Sequence, residues 1–266
     1  MALLQVNFRS KALRRIATFN ALVPLEKTDV PGQPEIPRGP MKALYLLHGY
    51  TGNYTDWVCG SPIQELSETH NIAVFMPSGD NFFYLDDTDM GALYAEYIGN
   101  ELVEFTHEMF PLSGKRDDTF IGGYSMGGYG AIRNGLKYSH RFGRIIALSS
   151  AFITHTIAGM SPEYKNPFAD YKYYRRVFGD LDHLLGSDKD PESLITEKKK
   201  AGETIPDIYM ACGTEDFGIE SNRRYHRFLT SEEIEHTYIE SPGVHNWKFW
   251  NEYIEKAIHW ALEEEA

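Results

Sequence analysis

The feature that most constrains this chain is a cluster of glycines around one serine, in the stretch FIGGYSMGGYGA at residues 120–131. A short apolar run precedes the serine, and a helix-like stretch follows it. Glycine costs conformational entropy in regular structure, so four glycines this close to Ser125 predict a backbone geometry that other residues cannot adopt. Two structures meet that requirement: a loop that binds phosphate, and a sharp turn that presents the serine as a nucleophile.

The sequence argues against the phosphate-binding loop. A Walker loop needs GxxxxGK followed by Ser or Thr, and this stretch contains no lysine. A dinucleotide-binding loop needs GxGxxG, which no register of GGYSMGGYG supplies. The motif GxSxG, in contrast, is met by residues 123–127, and in that motif the serine lies on a strained strand-to-helix turn with its Oγ exposed. We therefore predict that Ser125 is a nucleophile.

A nucleophilic serine needs a base, and the base needs an acid that orients it. In the fold that carries GxSxG, the chain order is Ser, then Asp or Glu, then His. The segment IYMACGTEDFG places Asp216 just after a late strand, with Glu215 as the alternative acid. The segment YIESPGVHNWKFW places His245 in the loop after the last strand, as the base. Three other histidines lie within helices or at the start of a strand, and we interpret them as surface or packing residues: His226, His236 and His259.

Acyl transfer also requires donors that stabilise an oxyanion. The backbone N–H of Met126, next to the nucleophile, is one predicted donor. The other is predicted in the early loop LYLLHGYTGNYTDW, at the backbone N–H of Tyr50. In the same loop, we interpret His48 as a residue that orders the loop rather than as a base. Two aromatic residues of the catalytic loops, Trp57 and Trp247, are predicted to contact substrate.

Short apolar runs alternate with helix-like stretches along most of the chain. Runs of this kind are typical of strands buried on both faces of a parallel sheet, and the alternation predicts an α/β fold with a mostly parallel, doubly wound sheet and helices on both faces. An antiparallel pair precedes it, followed by the proline-rich linker VPGQPEIPRGP. The predicted strands are Leu3–Phe8, Arg15–Val23, Ala43–Leu47, Ile72–Met76, Phe120–Tyr124, Ile145–Ser149, Ile208–Ala211 and Thr237–Glu240. The predicted helices are Ile63–Thr69, Leu93–Met109, Gly128–Lys137, Ser221–Leu229 and Trp247–Leu262.

One long segment between two predicted strands interrupts this alternation. Residues 152–205 are polar, rich in tyrosine and poor in strand signals. An insertion of this length predicts a cap over the site; the alternative is an ordinary crossover that is merely long. We treat residues 1–266 as a single domain with this cap inserted. Several of its aromatic residues could narrow the acyl site: Tyr164, Phe168, Tyr171, Tyr173 and Tyr174.

Charge and motif content exclude several other classes of protein. A chain with a net charge of −12 lacks the basic surface that binding to nucleic acid or to an anionic membrane requires. No apolar span is long enough to cross a membrane, and no signal peptide is recognised, so we expect a cytoplasmic protein unless a signal has been removed. The histidines and cysteines form no metal-binding motif, and neither a metal nor a cofactor is expected. We interpret Cys59 and Cys212 as small buried apolar residues.

With these residues in place, the chain resembles the esterase D-like group of α/β-hydrolases, and most closely the bacterial tributyrin esterases. The resemblance rests on LYLLHGYTGNYTDW, FTHEMFPLSGKRDDTFIGGYSMGGYGA, ACGTEDF and PGVHNWKFW. It implies Ser125 as nucleophile, His245 as base and Asp216 as acid, and it places Tyr84 in a turn that shapes the substrate end. It also implies action on short acyl esters, with feruloyl esterases, acetyl-sugar esterases and S-formylglutathione hydrolases as relatives.

The expected function is therefore a cofactor-independent serine carboxylesterase. Its partner would be a small-molecule or carbohydrate-linked ester, such as an acetyl or feruloyl ester of a plant carbohydrate, and self-association is left open. An S-formylglutathione hydrolase is one alternative, although HGYTGN replaces the cysteine-bearing loop of that branch. A binding protein that kept the fold without turnover is another, and it would typically have lost one of the three catalytic residues.

Overall fold

The computed structural model describes residues 1–25 and 39–263. Most of the predicted linker at residues 30–40 lies outside this range. The strands of the described residues are β1 (Ala2–Ser10), β2 (Arg15–Val23), β3 (Lys42–Leu47), β4 (Ile72–Pro77), β5 (Asp86–Asp87), β6 (Ala92–Leu93), β7 (Thr119–Tyr124), β8 (Arg144–Leu148), β9 (Asp207–Gly213) and β10 (Thr237–Ser241). The α-helices are α1 (Asp56–Gly60), α2 (Ile63–His70), α3 (Tyr94–Glu96), α4 (Leu102–Met109), α5 (Met126–Lys137), α6 (Thr154–Ile157), α7 (Tyr171–Phe178), α8 (Pro191–Ala201), α9 (Ile219–Ser231) and α10 (Trp247–Leu262).

Eight of these strands form one sheet in the order β1-β2-β4-β3-β7-β8-β9-β10. The first two strands are antiparallel to their neighbours, and the pairs from β4 to β10 are all parallel. The mostly parallel sheet with an antiparallel pair at one edge is thus confirmed. Because the parallel strands end at the same edge, the loops that follow β3, β7, β8, β9 and β10 meet there, which is where open α/β sheets bind ligands.

Helices cover both faces of this sheet, as the alternation of side chains requires. In β3, Leu44 and Leu46 join a core cluster with residues of α1, α2 and α10. Tyr45 and Leu47 point the other way and join a cluster with α4, α5 and α9. Successive strand residues face opposite sides, so a strand between two helical layers is apolar at every position. This explains the continuous apolar runs of the sequence.

The predicted helix over Leu93–Met109 is helical from Tyr94 to Met109, but it is not α-helical throughout. A π-helical turn, Tyr97–Glu101, joins α3 to α4. The π-helical turn contains Gly99, where a Cβ would lie 2.1 Å from the ring of Tyr138, so the glycine permits a close contact with the residue that follows α5. No described helix has the length and apolar character needed to cross a membrane.

The segment between β8 and β9 contains α6, α7 and α8. Its last helix, α8, packs on α5 and provides the crossover that two adjacent parallel strands require. The chain just before α8 is anchored to α5, because the hydroxyl of Tyr129 donates to the carbonyl of Lys189 (2.6 Å) and Arg133 forms an ion pair with Asp188 (2.6 Å). Part of the segment is therefore an ordinary crossover, and the cap function of residues 152–205 stays a prediction.

Candidate active site

Ser125 lies in a strained conformation between β7 and α5. Its φ of 55° and ψ of −119° fall in a region that residues with a side chain rarely adopt, at a typical cost of about 1–3 kcal/mol. Two of its backbone hydrogen bonds join it to the end of β8 and the loop that follows. The N–H of Ser125 donates to the carbonyl of Leu148 (2.9 Å), and the N–H of Ala151 donates to the carbonyl of Ser125 (2.9 Å). The loop after β8 thus fixes the turn that presents the serine.

The glycines around the serine allow the loop after β3 to approach this turn. A Cβ on Gly123 would lie 2.6 Å from the backbone of Gly127. A Cβ on Gly127 would lie 2.4 Å from the carbonyl oxygen of Leu47 and 2.7 Å from that of His48. Backbone atoms cannot yield as a flexible side chain can, so both positions require glycine. The same close approach brings the loop after β3, which carries Tyr50, against the turn at Ser125, and Tyr50 and Ser125 line one pocket.

His245, in the loop after β10, is hydrogen-bonded to Asp216, in the loop after β9. Its Nδ1–H donates to Asp216 Oδ2 at 2.8 Å, and the N–H of Gly218 donates to Oδ1 at 2.7 Å. Burial alone would raise the pKa of Asp216, but the hydrogen bond and charge of His245 and the Gly218 N–H outweigh it, so the pKa is lowered. Because Nδ1 bonds to Asp216, Nε2 is the nitrogen of His245 that is available for proton transfer in the pocket, which Ser125 also lines.

Glu215, the alternative acid, is directed elsewhere. Its exposed carboxylate accepts a hydrogen bond from the N–H of Gly243 (2.5 Å), which is the main reason that its pKa is lowered. The backbone N–H of Glu215 also donates to the carbonyl of Gly243 (3.0 Å). Glu215 therefore fixes the loop that precedes His245, while the contact with the imidazole belongs to Asp216.

The predicted oxyanion donors are two backbone N–H groups on adjacent loops. Met126 is the first residue of α5, so its N–H has no partner within the helix. Across residues 1–25 and 39–263, the N–H of Tyr50 has no protein acceptor either. Between them, buried His48 donates from Nδ1 to the carbonyl of Gly49 (2.7 Å) and accepts at Nε2 from the N–H of Gly79 (2.9 Å). Burial lowers the pKa of His48, so this histidine is a neutral residue that orders the loop.

An open pocket of about 1100 Å³ surrounds these groups. It joins the predicted nucleophile and base to the loop after β3, the start of α10 and two residues of the inserted segment. Of the predicted substrate contacts, Trp247 lines it. The lining residues are Tyr50, Thr51, Gly52, Asp56, Cys59, Gly60, Tyr124, Ser125, Pro167, Phe168, Phe217, His245, Asn246, Trp247 and Trp250.

Two predicted substrate contacts are instead buried beneath the pocket. Trp57 is 1% exposed; its Nε1–H donates to the carbonyl of Leu47 (3.0 Å), and its ring packs edge-on against Trp247. Tyr84 is fully buried, and its hydroxyl donates to the carbonyl of His48 (2.9 Å). Both side chains support the loop after β3 from below, so neither contacts substrate directly.

Among the cysteines and the aromatic residues of the insertion, some line the pocket and others do not. Cys212 is buried as expected, but Cys59 is exposed and lines the pocket, so its interpretation as a buried residue is wrong. Of the five insertion aromatics, Phe168 lines the pocket, 5.8 Å from the ring of Phe217. Phe217, whose ring lies 4.4 Å from that of His245, was not among the predicted site residues. Its position next to Asp216 was the available signal.

One group of side chains in the described residues could hold a metal ion, and it lies outside this pocket. It consists of His155, Asp190 and Glu192. Their polar atoms already have protein partners. Asp190 caps the start of α8, while Glu192 bonds to His155 (3.1 Å) and Arg224 (2.5 Å). These contacts account for the group without an ion.

Comparison with known proteins agrees with this geometry. The family model described as "Putative esterase" matches residues 31–261. An acetyl esterase of Caldicellulosiruptor saccharolyticus is 53% identical over 260 residues, 98% of each chain. FphF, a fluorophosphonate-binding serine hydrolase of Staphylococcus aureus, has a TM-score of 0.84 at 28% identity, and the S-formylglutathione hydrolase FrmB of Staphylococcus aureus has 0.82 at 27%. Both alignments cover 98% of each chain. The resemblance to the esterase D-like group is confirmed: the chain belongs to this esterase family of α/β-hydrolases and is a serine carboxylic ester hydrolase.

Proposed function

We propose that this enzyme hydrolyses short-chain acyl esters, acetate esters first, with Ser125, His245 and Asp216 as its catalytic triad. The observation that carries the proposal is that His245, hydrogen-bonded to Asp216 behind it, lines the same pocket as the strained Ser125. The acetyl esterase relative, at 53% identity, supports acetate as the acyl group. A non-catalytic homologue would typically lack a triad residue, and this chain retains all three.

Acylation follows from the direction of the hydrogen bonds. Because Asp216 holds Nδ1–H, His245 Nε2 is free to take the proton as Ser125 Oγ attacks the ester carbonyl. The negative charge that develops on the carbonyl oxygen is stabilised by the backbone N–H groups of Tyr50 and Met126. The imidazolium then gives its proton to the leaving alcohol oxygen as the C–O bond breaks. An acetyl-Ser125 ester and a free alcohol remain.

Deacylation repeats these steps with water. His245 Nε2 accepts a proton from a water molecule while the water oxygen attacks the acyl carbonyl. The second tetrahedral intermediate is stabilised by the same two N–H groups. His245 then returns the proton to Ser125 Oγ, and the carboxylic acid is released. No cofactor is needed at any step.

An S-formylglutathione hydrolase is the second candidate, since FrmB has the same fold over 98% of its length at 27% identity. The same triad would form a formyl-enzyme and release a thiol. The two candidates differ in the leaving group, because glutathione carries two carboxylates and most acetate esters carry none. A carbohydrate-linked acetate or ferulate is the proposed natural form of the first candidate.

The test compares the wild-type enzyme with Ser125→Ala. Substrates are p-nitrophenyl acetate, acetylated xylan, methyl ferulate and S-formylglutathione. We expect the substitution to lower kcat by roughly 10⁴-fold or more, since triad members act as a unit, with an unchanged circular dichroism spectrum. More than a few per cent of activity left in Ser125→Ala would contradict the assignment of the nucleophile. Preference of the wild-type enzyme for S-formylglutathione over all esters would favour the second candidate.

A further inference from the structure

We propose that Asp56 selects the alcohol part of the substrate by charge, favouring neutral or cationic alcohols over those that carry a carboxylate. This inference rests on the proposed ester hydrolysis and concerns the same pocket. Asp56 is the first residue of α1, and its half-buried carboxylate lines the pocket with Ser125 and His245. Among the described residues that line this pocket, it is the only Asp, Glu, Lys or Arg.

The carboxylate of Asp56 is fixed in position. Oδ2 accepts a hydrogen bond from the hydroxyl of Tyr124 (2.7 Å), and Oδ1 accepts one from the backbone N–H of Asn53 (3.2 Å). A Cβ on Gly52 would lie 2.0 Å from Oδ2, so the loop passes directly over the carboxylate because it has a glycine there. Each carboxylate oxygen has two lone pairs. Each oxygen therefore keeps a lone pair that these two hydrogen bonds do not use.

Asp56 lies on the side of the pocket where the leaving group must be. His245 protonates the leaving oxygen, so the alcohol occupies the histidine side of Ser125. Packed rings connect that side to Asp56: His245 lies 5.0 Å from Trp250, and Trp250 stacks on Tyr124 at 4.1 Å. The hydroxyl of Tyr124 then bonds to Asp56. An alcohol that extends from His245 along the rings of Trp250 and Tyr124 is therefore directed toward the carboxylate.

The charge of Asp56 then separates alcohols by their own charge. Hydroxyl groups can donate to its oxygens, and a cationic group is attracted. A carboxylate on the alcohol is repelled: at roughly 7 Å and an effective dielectric constant of about 40, two like charges disfavour binding by about 5- to 10-fold. Because no positive side chain lines the described pocket, nothing there compensates this repulsion.

The test uses two acetate esters of nearly equal size, neutral 4-acetoxybenzamide and anionic 4-acetoxybenzoate. The measured quantity is the ratio of kcat/KM for the neutral ester to that for the anionic ester. It is determined for the wild-type enzyme, for Asp56→Asn and for Asp117→Asn. The amide introduced by Asp56→Asn keeps an oxygen acceptor for the hydroxyl of Tyr124. Asp117 is the matched control, because its 77% exposed side chain precedes β7 at the opposite edge of the sheet and its loss removes the same charge.

We expect the ratio to fall about 5- to 10-fold in Asp56→Asn and to change less than twofold in Asp117→Asn. In the wild-type enzyme the ratio should also shrink as salt rises from 20 mM to 500 mM, because salt screens the repulsion. This salt titration needs no variant to fold. A ratio unchanged by Asp56→Asn, or a wild-type ratio independent of salt, would overturn the role of Asp56. Absence of wild-type hydrolysis of both esters and of p-nitrophenyl acetate would instead overturn the proposed function, and the role of Asp56 with it.

Discussion

Two neighbouring carboxylates provide the sharpest test of the triad. Asp216→Asn keeps the size of the side chain but replaces an oxygen acceptor by an amide group. If the amide nitrogen faces the imidazole, His245 can no longer donate from Nδ1 and must adopt the other tautomer, with its proton on Nε2. That nitrogen could not then accept the proton of Ser125. The substitution therefore acts on the mechanism through the 2.8 Å contact between His245 and Asp216, by its hydrogen bond and by its charge.

The expected loss in kcat is on the order of 10³ to 10⁴ for Asp216→Asn. This corresponds to about 4–5.5 kcal/mol of transition-state stabilisation, at about 1.4 kcal/mol for each factor of ten. The side chain of Asp216 is completely shielded from solvent, so water cannot replace the lost acceptor. Glu215→Gln should cost less than about tenfold, because an amide oxygen can still accept from the N–H of Gly243.

The assay is hydrolysis of p-nitrophenyl acetate at saturating substrate, for both variants and the wild-type enzyme. Thermal melts accompany it, so that a loss of folded protein is not mistaken for a loss of catalysis. If Glu215→Gln lost more activity than Asp216→Asn, the acid that orients His245 would be Glu215 rather than Asp216. Near-wild-type activity in both variants would refute an orienting carboxylate altogether.

Two further predictions concern substrate size and acid stability. On p-nitrophenyl esters, kcat/KM should peak at two to four acyl carbons. Each further methylene adds about 0.8 kcal/mol of binding free energy only if it is buried, and the pocket around Ser125 is open. A maximum at eight carbons or beyond would contradict this prediction. Burial and the neighbouring His236 lower the pKa of His226, so the folded state binds fewer protons than the unfolded state, and stability should fall as the pH drops below about 6.5. His226→Gln should flatten this loss in melts from pH 7.5 to 5, whereas exposed His140→Gln should not; equal curves for the two variants would refute the assignment.

The sequence contained enough information to predict the sheet and to select the three candidate catalytic residues, for a shared physical reason. A strand between two helical layers must be apolar at every position, so β3, β4, β7 and β8 stand out from their surroundings. The loops at the carboxyl edge then have positions fixed by topology. Ser125, Asp216 and His245 each follow a recognisable strand, and the structure brings the last two into contact.

Side-chain direction within those loops could not be predicted in the same way. Asp56 and Trp57 are consecutive residues of α1, yet the first lines the pocket and the second lies in the core. The difference depends on the packing of α1 against α10, which brings the ring of Trp247 over Trp57. Local sequence contains no signal for a contact between elements so far apart in the chain.

The opposed roles of these two tryptophans lead to a last prediction. Trp57 is 1% exposed and its Nε1–H bonds to Leu47, so Trp57→Ala should lower the free energy of unfolding by roughly 3–5 kcal/mol. Trp247 is half-buried and lines the pocket, so Trp247→Ala should cost less stability but lower kcat/KM about tenfold for acetates of bulky alcohols. Urea unfolding and kinetics on 4-acetoxybenzamide would measure the two effects. A larger stability loss for Trp247→Ala than for Trp57→Ala, with unchanged kcat/KM, would mean that the pocket wall is built differently from the structure described.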